Sequence, residues 1–225
     1  MNIKVNNISL NYQKLGSGHP LILLHGNQED SRIFDRLMAA LSAQYTVYII
    51  DTRGHGQSER PDTFSYQDMV EDIASFIRKF NLKQPYLFGF SDGGIVGLML
   101  ASQYPNILGK LVVAGANTEI SGLTRKERLK LKFENFIKPN PLIELMLNQQ
   151  PITDVQLKRI TVQVLAMVGE KDVVTIEHTR EFSSKIKHAR LMVMPKQTHD
   201  SYITHSLYLV PTLKKLFQIK ILTLC

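Results

Sequence analysis

Six residues near the middle of the chain, Gly89-Phe90-Ser91-Asp92-Gly93-Gly94, restrict its fold more than any other segment. They follow an apolar run, Pro85 to Phe88, that reads as a buried strand. They precede Ile95 to Tyr104, whose apolar residues recur at helical spacing. A Gly-x-Ser-x-Gly run is thus predicted on a strand-to-helix turn, the setting a nucleophile elbow requires. Sterics explain the glycines. A serine at the tip of so tight a turn has strained backbone angles, and the chain packs closely on both sides, so positions 89 and 93 must lack a Cβ atom. The helix that follows aims its free N–H groups and the positive end of its dipole at the same point, where an oxyanion would be stabilised. Gly-rich turns before helices also hold phosphates, or merely turn the chain, so the remaining sequence has to decide between these readings.

Around this turn, strand and helix patterns alternate, which predicts a largely parallel sheet covered on both faces. Ile3 to Val5 and Ile8 to Leu15 read as an antiparallel pair joined at Asn6-Asn7. Leu21 to Leu24 and Thr46 to Ile50 read as strands, and Ile33 to Ala43 as a helix capped by Asp30 or Ser31. Tyr66 to Asn81 is an amphipathic helix pattern, and Leu111 to Ala114 is the strand after the elbow helix. The alternation then stops. Residues 117–161 hold a basic amphipathic helix pattern, then Pro139-Asn140-Pro141, then a second helical stretch to about Leu147. It resumes with Val162 to Val168, a helix from about Thr175 to Ile186, the strand Arg190 to Met194 and a helix from near Ser206 to Phe217. The expected organisation is one core domain, 1–116 and 162–225, interrupted by a helical cap insertion, 117–161.

Bulk properties narrow the function classes. At 225 residues, 44% hydrophobic, the chain can bury a sizeable core. No apolar run approaches the ~20 residues of a membrane span. The N-terminal residues show no apolar signal segment and the single cysteine is Cys225, so a cytoplasmic setting is expected, with neither an intrachain disulfide nor a cysteine metal site. The net charge is +7, and its densest cluster is Arg125, Lys126, Arg128, Lys130 and Lys132, which reads as a solvated helix face. No nucleic-acid motif accompanies it.

A serine hydroxyl becomes a nucleophile when a base takes its proton, and the base is commonly a histidine held by a carboxylate. In an open parallel sheet these partners lie just after late strands. His199 follows the last strand pattern; His25 and His55 lie upstream, and His205 sits deeper in the loop. Asp172 follows the preceding strand, with Glu170 and Glu119 as rivals. The oxyanion would be met by the backbone N–H groups of Asp92 and Asn27, the latter in the His25-Gly26-Asn27 loop.

With these residues placed, the chain resembles the α/β-hydrolase superfamily over nearly its whole length. The resemblance rests on five features in order: His25-Gly26, Asp51-Thr52-Arg53-Gly54-His55-Gly56-Gln57-Ser58, the Gly89–Gly93 turn, Gly169-Glu170-Lys171-Asp172, and His199. It implies an α/β fold, a mostly parallel eight-stranded sheet with helices on both faces and a small helical cap. It also implies a Ser91–His199–Asp172 triad, with the Asp51–Ser58 segment as a structural loop beside it. Serine at position 91 sets the chain apart from haloalkane dehalogenases and epoxide hydrolases of this fold, which place aspartate there. The Ser-Asp-Gly-Gly form is similar to small-molecule esterases, some accepting amino-acid esters, so Asp92 is a candidate to attract a cation or a plain first-turn carboxylate. Leu129, Phe133, Phe136, Leu142 and Met146 are expected to roof an apolar pocket, with Phe90, Phe133, Phe136 and Met146 as candidate substrate contacts. The expected function is hydrolysis of a small carboxylic ester or related acyl substrate, with no cofactor, metal or nucleic-acid partner. A carbon–carbon bond hydrolase, an amidase on the same triad, or a non-catalytic ligand-binding or signalling member of the fold are the alternatives.

Overall fold

The computed structural model describes residues 1–218; Cys225 lies outside them. Eight strands form one sheet: β1 (Asn2–Val5), β2 (Ile8–Leu15), β3 (His19–Leu24), β4 (Tyr45–Ile50), β5 (Tyr86–Phe90), β6 (Lys110–Ala114), β7 (Gln163–Lys171) and β8 (Ala189–Thr198). Their spatial order is β1-β2-β4-β3-β5-β6-β7-β8. β1 with β2 and β2 with β4 pair antiparallel, and every other neighbouring pair is parallel. Strand β3 lies between β4 and β5, so the chain leaves it in one direction and later crosses to its other side. Such a reversal opens a crevice at the carboxyl ends of the strands, where ligands bind in open α/β sheets.

The central strands are buried on both faces, which is why they read as continuous apolar runs. In β3, Ile22 and Leu24 enter one core layer while Leu21 and Leu23 enter the other. The first layer packs α2 (Tyr66–Lys79), α3 (Asp92–Gln103) and α7 (Ile176–Ser184) on the sheet; the second packs α1 (Asp35–Leu41) and α8 (Val210–Gln218). Between β6 and β7 the described chain is helical: α4 (Arg125–Ile137), α5 (Pro141–Leu147) and α6 (Asp154–Lys158). A small cluster of Leu123, Leu131, Ile143, Val168 and Val174 fastens α4 and α5 to the end of β7.

Three elements differ from their sequence patterns. The first helix begins as a 3-10 turn, Ser31–Phe34, held by the Asp30 carboxylate accepting from Arg32 N–H, before α1 starts at Asp35. The last strand runs to Thr198, past the Lys196 and Gln197 that read as loop. Its pairing with β7 shifts register between Gly169 and Lys171, an irregularity that re-aims the residues following it. Helix α8 starts at Val210 rather than near Ser206, because Pro211 has no N–H to give a turn begun earlier.

The Asp51–Ser58 loop is built on buried polar groups. Asp51 accepts from the Ser31 backbone at 2.7 Å, the Asn11 side chain at 2.9 Å and the Gln57 backbone at 3.0 Å. Arg53 donates to both oxygens of buried Asp72 on α2, at 2.7 and 2.8 Å. These bonds tie the loops after β3 and β4 to β2 and α2, and so fix the crevice floor.

Backbone approaches backbone closely at the elbow. A Cβ added to Gly89 would lie 2.2 Å from the Gly93 carbonyl oxygen, and one on Gly93 would lie 2.3 Å from the Leu24 carbonyl oxygen. Backbone cannot rotate away as a side chain can. Gly89→Ala is therefore expected to destabilise the fold by about 3 kcal/mol, near the upper end of ordinary overpacking. Urea unfolding followed by circular dichroism reads this as a lower midpoint; an unchanged midpoint would mean that α3 has room to move.

Candidate active site

Ser91 joins β5 to α3 with φ 50° and ψ −116°, a left-handed conformation that costs a side-chain-bearing residue energy. The turn is held open by its neighbours. Ser91 N–H donates to the Ala114 carbonyl at 2.8 Å and Gly93 N–H donates to the His25 carbonyl at 3.1 Å. The side chain is thereby presented at the end of the sheet, beside the loop that follows β3.

Two later loops meet it there. The Ser91 Oγ hydroxyl lies 3.1 Å from His199 Nε2, and His199 Nδ1 donates to Asp172 Oδ1 at 2.6 Å. The Asp172 side chain is fully buried; its oxygens also accept from Gly169 N–H at 3.0 Å and Val174 N–H at 3.1 Å. The carboxylate therefore cannot swing, and its bond to Nδ1 selects the tautomer that leaves Nε2 free to accept from Ser91. Burial alone lowers the His199 pKa, but the hydrogen bond and charge of Asp172, helped by the charge of Glu29, outweigh it and the net shift is upward. The ring rests on Phe90, with centroids 4.8 Å apart.

The other candidates lie elsewhere. Glu170 turns to the Lys196 backbone, at 2.6 Å, and His205 pairs with Asp35 at the surface, at 2.9 Å. Buried His25 donates from Nδ1 to the Gly26 carbonyl at 2.8 Å and accepts at Nε2 from Thr52 N–H at 3.0 Å, so it braces the loop carrying Asn27. Among the described residues, the Asn27 and Asp92 backbone N–H groups have no protein acceptor. The Asp92 carboxylate is occupied: it accepts from Asn27 Nδ2 and from the Tyr66 hydroxyl, both at 2.9 Å. Burial pushes its pKa up to about 6 against those two bonds, and it does not line the cavity at Ser91. Asp92 is thus a buried brace between α3, α2 and the Asn27 loop rather than a cation receptor.

Ser91 opens on a cavity of about 270 Å³. Phe90, Leu123, Leu131, Met146 and Val173 supply its apolar lining, and Glu29, Glu127, Lys130 and Glu134 its charges. Phe133 and Phe136, expected as substrate contacts, lie outside this cavity. Both are exposed, because Leu131 is the residue of α4 that turns inward and their positions fall on its opposite face. Leu129 is likewise exposed, and Leu142 is buried with its carbonyl accepting from Asn27 Nδ2 at 3.0 Å. Among the described residues, no group of three or more His, Cys, Asp or Glu side chains is placed to hold a metal ion. No described helix is long and apolar enough to cross a membrane.

This geometry coincides with a family match. The model for the alpha/beta hydrolase fold matches residues 19–138, more than half of the chain. The chain belongs to the α/β-hydrolase family. Among curated relatives, the 2-(acetamidomethylene)succinate hydrolase of Mesorhizobium japonicum is 33% identical over 111 residues, 49% of this chain and 40% of that protein. The serine hydrolase BPHL of Mus musculus is 32% identical over 126 residues, 53% of this chain and 43% of that protein. Both matches span less than half of those relatives' lengths. The human BPHL is 26% identical over 233 residues, covering 89% of this chain and 80% of that protein. In overall shape this α/β-hydrolase is similar to the enol-lactonase from Burkholderia xenovorans LB400, with a TM-score of 0.82, 18% identity and coverage of 97% of this chain and 100% of that one.

Two residues of this α/β-hydrolase site escaped the sequence reading. Gly115, just past β6, has φ 59°, and a Cβ there would lie 2.7 Å from the His199 ring. A glycine directly after a strand at the carboxyl edge was the available signal. Glu29 is the second. Its Oε2 accepts from Gly26 N–H at 2.9 Å, and a Cβ on Gly26 would meet both that oxygen and Ser91 Cβ, so the carboxyl and the serine flank one glycine. Burial pushes its pKa up to about 7, against the Gly26 hydrogen bond and the positive charge His199 can carry.

A raised carboxyl stabilises the fold fully below its unfolded pKa and loses that contribution as pH rises to its folded value. The stability of the parent relative to Glu29→Gln is therefore expected to be constant below pH 4.5 and to fall as pH rises from 4.5 to about 7. Chemical denaturation of both proteins across that range measures it; a pH-independent difference would refute the shift.

Proposed function

We propose that the protein is a serine hydrolase acting on a small carboxylic ester or related acyl compound through an acyl-enzyme. The observation that carries this reading is the continuous relay from Ser91 Oγ to His199 Nε2, at 3.1 Å, and from His199 Nδ1 to Asp172, at 2.6 Å, at a strained strand-to-helix turn. Ser91 Oγ attacks the acyl carbonyl while His199 Nε2 takes its proton. Asp172 holds the ring and stabilises the imidazolium. The Asn27 and Asp92 amides receive the oxyanion, aided by the N-terminal end of α3. His199 then returns its proton to the departing alcohol, leaving the acyl group on Ser91. Water, deprotonated by the same histidine, attacks the ester so formed; collapse releases the acid and restores Ser91.

The small cavity supports a short acyl group, and its mixed lining supports a substrate with polar as well as apolar parts. In this account α4 and α5 form the cap. Phe90 and Met146 remain as substrate contacts, joined by the inward Leu131 rather than the outward Phe133 and Phe136.

Ser91→Ala and His199→Ala are each expected to lower kcat on p-nitrophenyl acetate by about 10⁴-fold or more, and Asp172→Asn by about 10⁴-fold, with melting temperatures near that of the parent. The parent's kcat/KM should fall with pH along a limb whose midpoint lies above 6.5, because the base must be neutral and its pKa is raised. Turnover that survives Ser91→Ala would refute the mechanism. Absence of turnover across esters, amides and β-diketones in folded parent protein would favour a binding role.

A further inference from the structure

Helix α4 sorts its side chains by direction. Leu131 is buried, and Glu127, Lys130 and Glu134 border the Ser91 cavity. The opposite face carries Leu129, Phe133, Phe136 and Ile137, with exposures of 57%, 66%, 82% and 65%. At 100° per residue these four positions make one stripe. Arg125 and Lys132 lie along one edge of it, Lys126 falls within it between Phe133 and Ile137, and Lys130, which also borders the Ser91 cavity, marks the other edge; all four are exposed. Among the described residues, Arg125, Lys126 and Lys132 enter no ion pair, whereas Lys130 reaches Glu127 at 3.2 Å. A solvated helix face, the expectation from sequence, would not place four large apolar side chains at the centre of the exposed surface.

We propose that this outer face of α4 docks the protein on an anionic lipid bilayer, with Phe133 and Phe136 entering the headgroup boundary and the flanking lysines and arginine meeting lipid phosphates. An exposed apolar stripe with cations within it and along both edges, Glu127 and Glu134 lying on the side of the Ser91 cavity, is the pattern of a helix lying in a membrane interface. The whole chain, at net +7, is attracted to the same surface. A second copy of this chain suits the face poorly. A two-fold contact would set the cationic edges of one helix against those of the other, while Glu127 and Glu134 lie toward the Ser91 cavity of their own copy.

The groove beside the stripe gives the docking a use. It has a volume of about 950 Å³, is walled by Phe133 and Ile137 on α4, and shares Gln28, Glu29 and Glu134 with the Ser91 cavity. A molecule leaving the bilayer at α4 would meet that groove next. The docking itself does not rest on the chemistry of Ser91, since binding is read without turnover.

Co-sedimentation with phosphatidylcholine vesicles, with and without phosphatidylglycerol, tests it on the full chain. The parent is expected to sediment with the phosphatidylglycerol vesicles and far less with the neutral ones, and to be released by salt. Phe133→Ser combined with Phe136→Ser should weaken that partition by about tenfold or more, as should Lys126→Glu combined with Lys132→Glu, both with unchanged circular dichroism. All four positions are exposed, so these variants leave the core intact. Failure of the parent to sediment, or sedimentation of both variants like the parent, would overturn the proposal. So would a dimer in light scattering that Phe133→Ser with Phe136→Ser dissolves, which would make the stripe an interface between copies of this chain.

Discussion

Everything around Ser91 depends on how closely α3 can approach β3 and β5. Gly89 sits against the Gly93 carbonyl and Gly93 against the Leu24 carbonyl, at separations that no Cβ would permit. That contact brings the first turn of α3 down onto the carboxyl edge of the sheet and holds Ser91 in a left-handed conformation. It also sets the Asp92 N–H beside the loop that carries Asn27. The strain at one residue is balanced by the apolar layers on either side, in which the central strands and α3 are buried almost throughout.

The sheet edge then gathers what the turn exposes. The turn after β5 and the loops after β7 and β8 end within hydrogen-bond reach of one another because parallel strands finish on the same side. The register shift between β7 and β8 directs Asp172 toward His199, and the left-handed Gly115 leaves the ring its place. Buried polar bonds supply the rest of the precision: Asp172 has three donors, and Asp92 is clamped between Tyr66 and Asn27.

The sequence carried much of this because the relevant signals are local. A strand, a glycine turn and a helix in fixed order specify Ser91, and the ends of the next strands specify Asp172 and His199. Other features depend on long-range burial, which local patterns do not record. Asp92 read as a candidate cation receptor because its Tyr66 partner is twenty-six positions away in sequence and lies on another helix. Phe133 and Phe136 read as pocket residues because apolar side chains usually face inward; in α4 that rule fails, and Leu131 alone of its five large apolar residues turns to the core. Glu29 gave no signal, since nothing in His25-Gly26-Asn27-Gln28-Glu29 says that its carboxyl folds back onto the Gly26 amide. Helix α4 is therefore two surfaces at once. Its carboxylates and Lys130 border the site, and its aromatic side chains face out with Arg125, Lys126 and Lys132.

The chemistry proposed for this site requires that Ser91 form a covalent bond to an acyl-like electrophile. Incubation with a fluorophosphonate, followed by intact-protein and peptide mass spectrometry, asks this without knowledge of the natural substrate. One adduct per chain, located on the peptide containing Ser91 and suppressed by His199→Ala, is the predicted result. An unlabelled folded protein, or an adduct on a different residue that persists in Ser91→Ala, would contradict it.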